Sequence, residues 1–405
     1  MKRSTLAHSP ARAASRNDLR FALRAALAIT CAVAITAPAR ADLTSDITAV
    51  VEAQRSEHNV PGIVVGVWQG DTNIALVQSG FGNLNPQSPI SADDYYRLGS
   101  VTKSFTVTRL LQLADQGLVN LDSPISTYVP GVQNGSATLR QLANMTSGIF
   151  EYSADATFQA EISSDFLRNW TNQQLVDAAD RNPPYEAPGG QWHYSNTNTV
   201  LLGMVVEAVG PTHNLATEIQ NNILTPLGLS HTVYPVGTND LPTPFTSGYD
   251  IISQPGEPVV YGDMTQSNPT SSSGSGAMIG TMDDMRIWAE ALAKGTLLSP
   301  EMQAERLTLI PTTPLGPEYD AYGLGIGELN GWLGHTGAYF GYQNLVMYNP
   351  LTDQTIIIYT NLFYDGHIPT DIFRDIQGMV IPEPSVALLL PLGIAGLWFL
   401  RRRTA

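Results

Sequence analysis

Residues 42–384 contain two lysines, Lys103 and Lys294, and the first follows a serine by three positions in Ser100-Val101-Thr102-Lys103. The tetrad comes after the extended-looking Tyr95-Tyr96-Arg97-Leu98-Gly99 and opens a helical pattern. Residues i and i+3 share a helix face, so the amine can reach the hydroxyl. A lysine in a low-dielectric pocket gives up its proton more easily and can then take the proton of the serine. A solvated lysine behind a helix-capping serine fits the same four residues, and an isolated pair of this kind arises often by chance. Two further segments bear on the choice. In Tyr194-Ser195-Asn196, after the loop Pro188-Gly189-Gly190, the tyrosine and asparagine at i, i+2 of a turn can point into one cleft. A tyrosine hydroxyl can shuttle a proton beside a cation, and an asparagine amide can hold a substrate carbonyl and the lysine together. An N-cap cluster for a following helix is the plainer account. In Gly334-His335-Thr336-Gly337-Ala338, Gly337 lets a substrate backbone approach a strand edge, while His335 and Thr336 offer donors. A strand and turn with a surface histidine is the plainer account there.

The elements that must position these groups follow from periodicity. Residues 43–57 space Ile47, Val50, Val51 and Ala53 for one helix face. Ile63–Trp68 and Asn73–Gln78 read as strands joined by a hairpin at Gly70-Asp71. Residues 100–116 form an apolar-rich helix stopped by Gly117, a setting that would desolvate Lys103. From about 120 to 270 the pattern is helical and loop-rich, with helices over 138–144, 172–180, 198–210 and 214–224. A helix over 282–294 closes at Gly295, strands return at Tyr322–Gly327, Trp332–Thr336, Gln343–Tyr348 and Thr355–Thr360, and a last helix runs from Thr370 to Met379. The Ser- and Gly-rich tract 271–276 reads as a loop. Strands at both ends and helices between them predict an α+β fold. It consists of an antiparallel sheet flanked by N- and C-terminal helices (about 42–120 and 275–379) with an inserted mainly helical lobe (about 121–274).

The ends carry addresses. Residues 1–24 are basic, an apolar run spans Ala25–Ala37, and Ala39-Arg40-Ala41 is a cleavage pattern, so 1–41 reads as a signal peptide cut by signal peptidase. The only cysteine, Cys31, lies inside it, which excludes disulfides and a thiol nucleophile from the mature part. Pro382-Glu383-Pro384 precedes an apolar stretch Val386–Leu400 and then Arg401-Arg402-Arg403. The stretch is shorter than the roughly 20 residues of a stable span, and the arginines place the tail on the cytoplasmic side. These features of residues 380–405 resemble a PEP-CTERM sorting signal, which implies a transient membrane anchor and an exosortase-type processing enzyme. Residues 42–384 hold 11 basic and 35 acidic side chains, a surface that repels nucleic acid and anionic lipid.

Taken in order, Ser-x-x-Lys, Tyr-Ser-Asn and His-Thr-Gly resemble the penicillin-recognising serine hydrolases, in particular the class C β-lactamase and serine D-alanyl-D-alanine carboxypeptidase branch. The likeness covers about residues 45–378. It includes Thr138–Leu142 with Thr146-Ser147-Gly148, Gly276–Thr281 with Asp283-Asp284, and Tyr322-Gly323-Leu324-Gly325. It implies Ser100 as nucleophile of an acyl-enzyme, Lys103 as the group easing its deprotonation, and Tyr194 as the proton exchanger. It also implies Asn196, His335, Thr336 and Gly337 as substrate-binding residues, and an oxyanion hole from the backbone N–H groups of Ser100 and Ala338. No metal or cofactor is implied, and Asp93-Asp94 and Asp283-Asp284 read as capping or solvated residues. The implied activity is that of an exported hydrolase, in the periplasm, at the cell surface or in the extracellular matrix. It would act on a small peptide, β-lactam or ester, most like a D-alanyl-D-alanine carboxypeptidase or D-amino-acid peptidase. A class C-like esterase or β-lactamase and a non-catalytic ligand-binding or surface-display relative are the alternatives. Three positions depart from the pattern. His335 replaces a lysine, Ile326-Gly327-Glu328 stands where some carboxypeptidases have an arginine, and Met145 stands where many relatives have a histidine.

Overall fold

Two runs rich in β-branched residues, far apart in sequence, lie side by side in the structure, a computed structural model that describes residues 39–380. They are central strands of a nine-stranded sheet. In chain order its strands are β1 (Gly62–Gln69), β2 (Thr72–Leu84), β3 (Gln87–Pro89), β4 (Ile310–Pro311), β5 (Ala321–Tyr322), β6 (Gly327–Leu329), β7 (Trp332–Tyr339), β8 (Tyr342–Asn349) and β9 (Gln354–Thr360). Their spatial order is β3-β2-β1-β9-β8-β7-β6-β5-β4, and every neighbouring pair is antiparallel. Val65 pairs with Ile358 and Thr336 with Leu345, so the first and last strands close the middle of the sheet.

The main helices are α1 (Ala39–Glu57), α2 (Thr102–Asp115), α3 (Ala156–Ser164), α4 (Asn172–Asp180), α5 (Asn196–Val209), α6 (Met282–Lys294) and α7 (Ile368–Val380). Both faces of the sheet are covered, which is why β8 and β9 are buried at every residue and show no alternation. On one face Val64, Val346, Ile357 and Tyr359 share an apolar cluster with Met285 and Trp288 of α6. On the other, Trp332 meets Phe373 of α7 edge to face at 5.5 Å. Phe105 of α2 stacks on Trp288 with ring centroids 3.9 Å apart, which fixes α2 against the sheet-covering helix. The α+β architecture agrees with the expectation from the sequence.

Three local expectations need correction. The strand predicted over 322–327 is broken, because the Leu324 and Gly325 amides donate to Arg306 and Ala143 carbonyls instead of to a ladder. The helix α3 escaped notice because only Phe158 and Ile162 mark its buried side. The Ser- and Gly-rich tract, expected as a loop, turns tightly through 3-10 geometry at Pro269–Ser271 and Ser273–Ser275 and is largely buried. The expected signal peptide, apart from residues 39–41 at the start of α1, and the sorting tail after Val380 lie outside the described residues.

The Phe105–Trp288 stack bears on both stability and the placement of α2. Phe105→Ala should lower stability by about 3–5 kcal/mol, read as a lower urea midpoint at unchanged slope. A loss under about 1 kcal/mol would show that the stack does not hold α2 in place.

Candidate active site

Ser100 occupies a single 3-10 turn, Gly99–Val101, and α2 begins at Thr102. Gly99 has a φ of +49°, and a β-carbon there would sit 2.5 Å from the Ala338 carbonyl oxygen. Glycine alone allows the turn to lie against β7 in this way. The Asn344 side chain on β8 donates to the Arg97 carbonyl at 3.1 Å, so the segment leading to Ser100 is tied to the sheet as well.

Lys103 follows one turn along the helix and is 0% exposed. Its Nζ lies 3.0 Å from Ser100 Oγ, 2.5 Å from Asn196 Oδ1 and 2.9 Å from the Ser275 carbonyl oxygen. It also stands 4.9 Å from the centre of the Tyr194 ring. Burial removes the water that would stabilise an ammonium and pulls the pKa of Lys103 down to about 7, against a smaller opposing pull from Glu151. Near neutral pH a large fraction of the lysine is therefore the free amine. The Tyr194 hydroxyl is closed off from solvent and engages no partner at hydrogen-bonding geometry. Burial, with the Tyr322 and Tyr319 phenols beside it, pushes its pKa well above the usual tyrosine value; the nearby Ser100 hydroxyl offsets this in part. Tyr194 is thus a protonated donor, and the amine is the base.

Asn196 is the first residue of α5, and its amide direction is set from behind. Glu151 accepts from the Asn196 backbone N–H and from Asn196 Nδ2, the latter at 3.0 Å. Met145, without a chemical account from the sequence, takes a left-handed turn at φ +65°. Its carbonyl accepts from the His193 amide at 2.9 Å and its sulfur accepts from Asn198 Nδ2 at 3.3 Å. It therefore pins the chain on both sides of Tyr194.

On β7 the Thr336 N–H donates to the Tyr319 hydroxyl at 2.7 Å, away from β8. Amides two residues apart on a strand point the same way, so the Ala338 N–H also points off the sheet edge. That edge borders a cleft of about 900 Å³ lined by Ser100, Tyr194, Asn196, Thr336, Gly337 and Ala338. Lys103 lies beneath them.

His335 departs from the sequence expectation. It is 1% exposed, and its ring is held away from the cleft between Tyr319 and Tyr322. Its Nδ1 faces the Thr336 carbonyl at 2.6 Å, which can only accept, so Nδ1–H donates there and Nε2 accepts a hydrogen bond from the Tyr322 hydroxyl at 2.8 Å. Burial lowers its pKa to about 3. A neutral, enclosed imidazole cannot grip a substrate carboxylate; His335 instead orders the strand that presents Thr336. Sequence reasoning missed Glu151, the Ser275 carbonyl, Tyr319 and His367, whose Nε2 meets the Gly337 carbonyl at 3.2 Å. Of these, only the Ser-Gly tract carries a signal in the sequence, a composition that points to a loop. Asp94 and Asp284 accept from Thr246 and Thr232 hydroxyls and serve the framework.

A sheet with helices on both faces, and a serine at the start of a helix with a buried lysine beneath it and a strand edge across a cleft, is the layout of the β-lactamase and transpeptidase fold. Similar structures include a D-stereospecific amidohydrolase from Streptomyces sp., 31% identical, covering 82% of this chain and 98% of that one, with a TM-score of 0.73. A D-amino acid amidase from Ochrobactrum anthropi SV3 shares the fold at 23% identity and a TM-score of 0.72, covering 84% of this chain and all of that one. The family model described as Beta-lactamase matches residues 47–377, and the chain belongs to that family of serine hydrolases. Among curated proteins it is 24% identical over 329 residues to Protein flp of Staphylococcus aureus (strain NCTC 8325 / PS 47), covering 79% of this chain and 64% of that protein. The chain thus spans just under two thirds of the length of the first curated relatives it matches.

The histidine cage has a pH signature. Below about pH 6.5 the unfolded chain protonates His335 and the folded chain does not. Stability should therefore fall as pH drops from about 6.5 toward 3, by up to about 1.4 kcal/mol per pH unit from this residue. Urea unfolding at several pH values should show the slope flattened in Tyr322→Phe with His335→Gln; an unchanged slope would place the effect elsewhere.

Proposed function

We propose that this protein is an exported serine amidase or peptidase that forms an acyl-enzyme on Ser100. The observation that carries this is the buried Lys103 amine, 3.0 Å from the Ser100 hydroxyl, where the loss of water favours the free amine. Lys103 Nζ takes the Oγ proton as Oγ bonds to the substrate carbonyl carbon. The Ser100 and Ala338 N–H groups receive the oxyanion that forms, an arrangement worth on the order of a hundredfold in rate. As the carbon–nitrogen bond breaks, the leaving nitrogen takes the Tyr194 proton, and the Lys103 ammonium returns a proton to the resulting phenolate, restoring the free amine. Water then attacks the ester with the same groups in reverse.

The cleft wall bears on the substrate. It carries Glu318, Asp365 and Asp371, and among the described residues no arginine or lysine lines it, although Arg374 behind the wall pairs with Glu318 and leaves Asp365 and Asp371 as the acids without an ion pair. His335 is neutral, and burial lowers the pKa of His367, which also lines the cleft, to about 4. Such a wall disfavours a peptide ending in a carboxylate and favours a substrate with a free ammonium group. This supports an amidase or aminopeptidase reading over a D-alanyl-D-alanine carboxypeptidase. The similarity to a D-stereospecific amidohydrolase supports the same reading. Tyr152, Phe158, Ile162 and Phe340 offer an apolar wall for the side chain of the acyl residue. Esters remain accessible because they need no carboxylate clamp. The basic, apolar N-terminus and the Pro-Glu-Pro tail support export and transient anchoring.

Full-length protein should release nitroaniline from D-phenylalanine p-nitroanilide and prefer it to a diacylated peptide ending in D-Ala-D-Ala. Ser100→Ala should lose at least about a thousandfold, and an active Ser100→Ala enzyme would rule out the acyl-enzyme. Glu318→Gln with Asp371→Asn should narrow the preference about threefold to tenfold at low salt. A preference for the carboxylate-terminated peptide in the wild type would overturn the amidase reading.

A further inference from the structure

The Lys103 amine has three oxygen neighbours, and their chemistry is not equivalent. The Ser275 carbonyl can only accept, and so can the Asn196 amide oxygen. A neutral amine has two N–H bonds and one lone pair. With both N–H bonds directed at these two obligate acceptors, the lone pair is left for the Ser100 hydroxyl. The arrangement works only while Asn196 presents oxygen. If the amide were turned, its NH₂ would donate to the amine lone pair, and Ser100 would lose its base.

Among the described residues, no side chain lining the cleft hydrogen-bonds the Asn196 amide. The constraint comes from Glu151, which lies behind Asn196 and does not line the cleft. A carboxylate offers acceptors alone, so the Asn196 nitrogen must face it and the oxygen must face Lys103. One carboxylate oxygen takes the Asn196 backbone N–H, at the first turn of α5, where negative charge is favoured. The other takes the Asn196 Nδ2 and the Ser153 amide, at 3.0 Å each. Glu151 is itself anchored, because its backbone N–H donates to the Tyr185 hydroxyl at 3.3 Å.

We propose that Glu151 is a positioning residue that sets the direction of the Asn196 amide and, through it, the way the Lys103 amine is held against Ser100. The inference rests on Lys103 serving as the base in the proposed reaction. Lys103 faces Ser100, the Ser275 carbonyl, Asn196, the Tyr194 ring and, farther off, the carboxylate of Glu151 and the neutral ring of His335. The same carboxylate acts on His193, Tyr152, Tyr185 and Tyr194. Its negative charge favours the ammonium form of Lys103, so removing it shifts the lysine toward the free amine at lower pH.

The test separates direction from charge. With p-nitrophenyl acetate as the probe, Glu151→Gln keeps the size but can turn its own NH₂ toward Asn196. It should slow the pre-steady-state acylation burst about tenfold to a hundredfold at little change in KM. The acid limb of its kcat/KM profile should lie about one pH unit lower than in the wild type. Glu151→Asp should recover part of the burst rate. A Glu151→Gln burst within twofold of the wild type, with an unmoved limb, overturns the proposal. A second reading needs no turnover. The full chain has three lysines, Lys2, Lys103 and Lys294, so ¹³Cε labelling of lysine gives three signals, with Lys103 identified by its loss in Lys103→Arg. The Lys103 signal should titrate about one pH unit lower in Glu151→Gln, and an unchanged midpoint overturns the proposal even if the folded variants differ in rate. Because this measurement uses no substrate, a wild type that hydrolyses none of the probes would refute the proposed reaction without touching this result.

Discussion

The structure depends on keeping one amine dry. Lys103 is enclosed by α2, α5, the 273–275 turn and the Tyr194 ring, and the loss of water around it is what makes a partly deprotonated lysine available near neutral pH. Each enclosing element is held by packing some distance away. α2 rests on Trp288 through Phe105, and the chain beside Tyr194 rests on the Met145 carbonyl and sulfur through His193 and Asn198. Loss of packing along these supports would loosen the enclosure on which the low proton affinity of the amine depends. Stability and chemistry are therefore coupled through hydration.

The second constraint is the approach of two distant segments. The turn bearing Ser100 and the edge of β7 meet at Gly99 and Ala338, with the Asn344 side chain bridging to Arg97. The Ala338 N–H faces the cleft because β7 has no strand partner beside that stretch of its edge, β6 pairing only with Trp332–Gly334. A sheet edge that would otherwise invite pairing is thus left open onto the cleft, where the proposed reaction has substrate enter. His335 and the two tyrosines around it keep this edge ordered without adding charge to the cleft.

Local periodicity made much of the fold legible. The helices at 172–180 and 282–294 have the bounds expected from their apolar spacing, β1 and β9 lie where β-branched residues cluster, and β7 and β8 contain the strands expected at Trp332–Thr336 and Gln343–Tyr348. Ser100, Lys103, Tyr194, Asn196, Thr336, Gly337 and Ala338 were legible as a set because three short motifs occur in order. The structure brings them to one cleft. The direction of His335 was not legible, since the phenols that enclose it, on Tyr319 and Tyr322, sit on separate segments and no spacing marks them as partners. Glu151 was hidden for the same reason. Its work is done on Asn196, 45 positions away. The charge of the cleft was equally opaque, because Glu318, Asp365 and Asp371 read as ordinary solvated acids until the fold gathers them on one wall.

The third contact of the buried lysine comes from main chain, the carbonyl of Ser275. A side-chain substitution at 275 leaves that oxygen in place so long as the two successive 3-10 turns keep their path. Insertion or deletion of one residue between 269 and 276 would move it. That contact is therefore set by the length of the tract and not by the side chain at 275, and drift among relatives should respect the spacing.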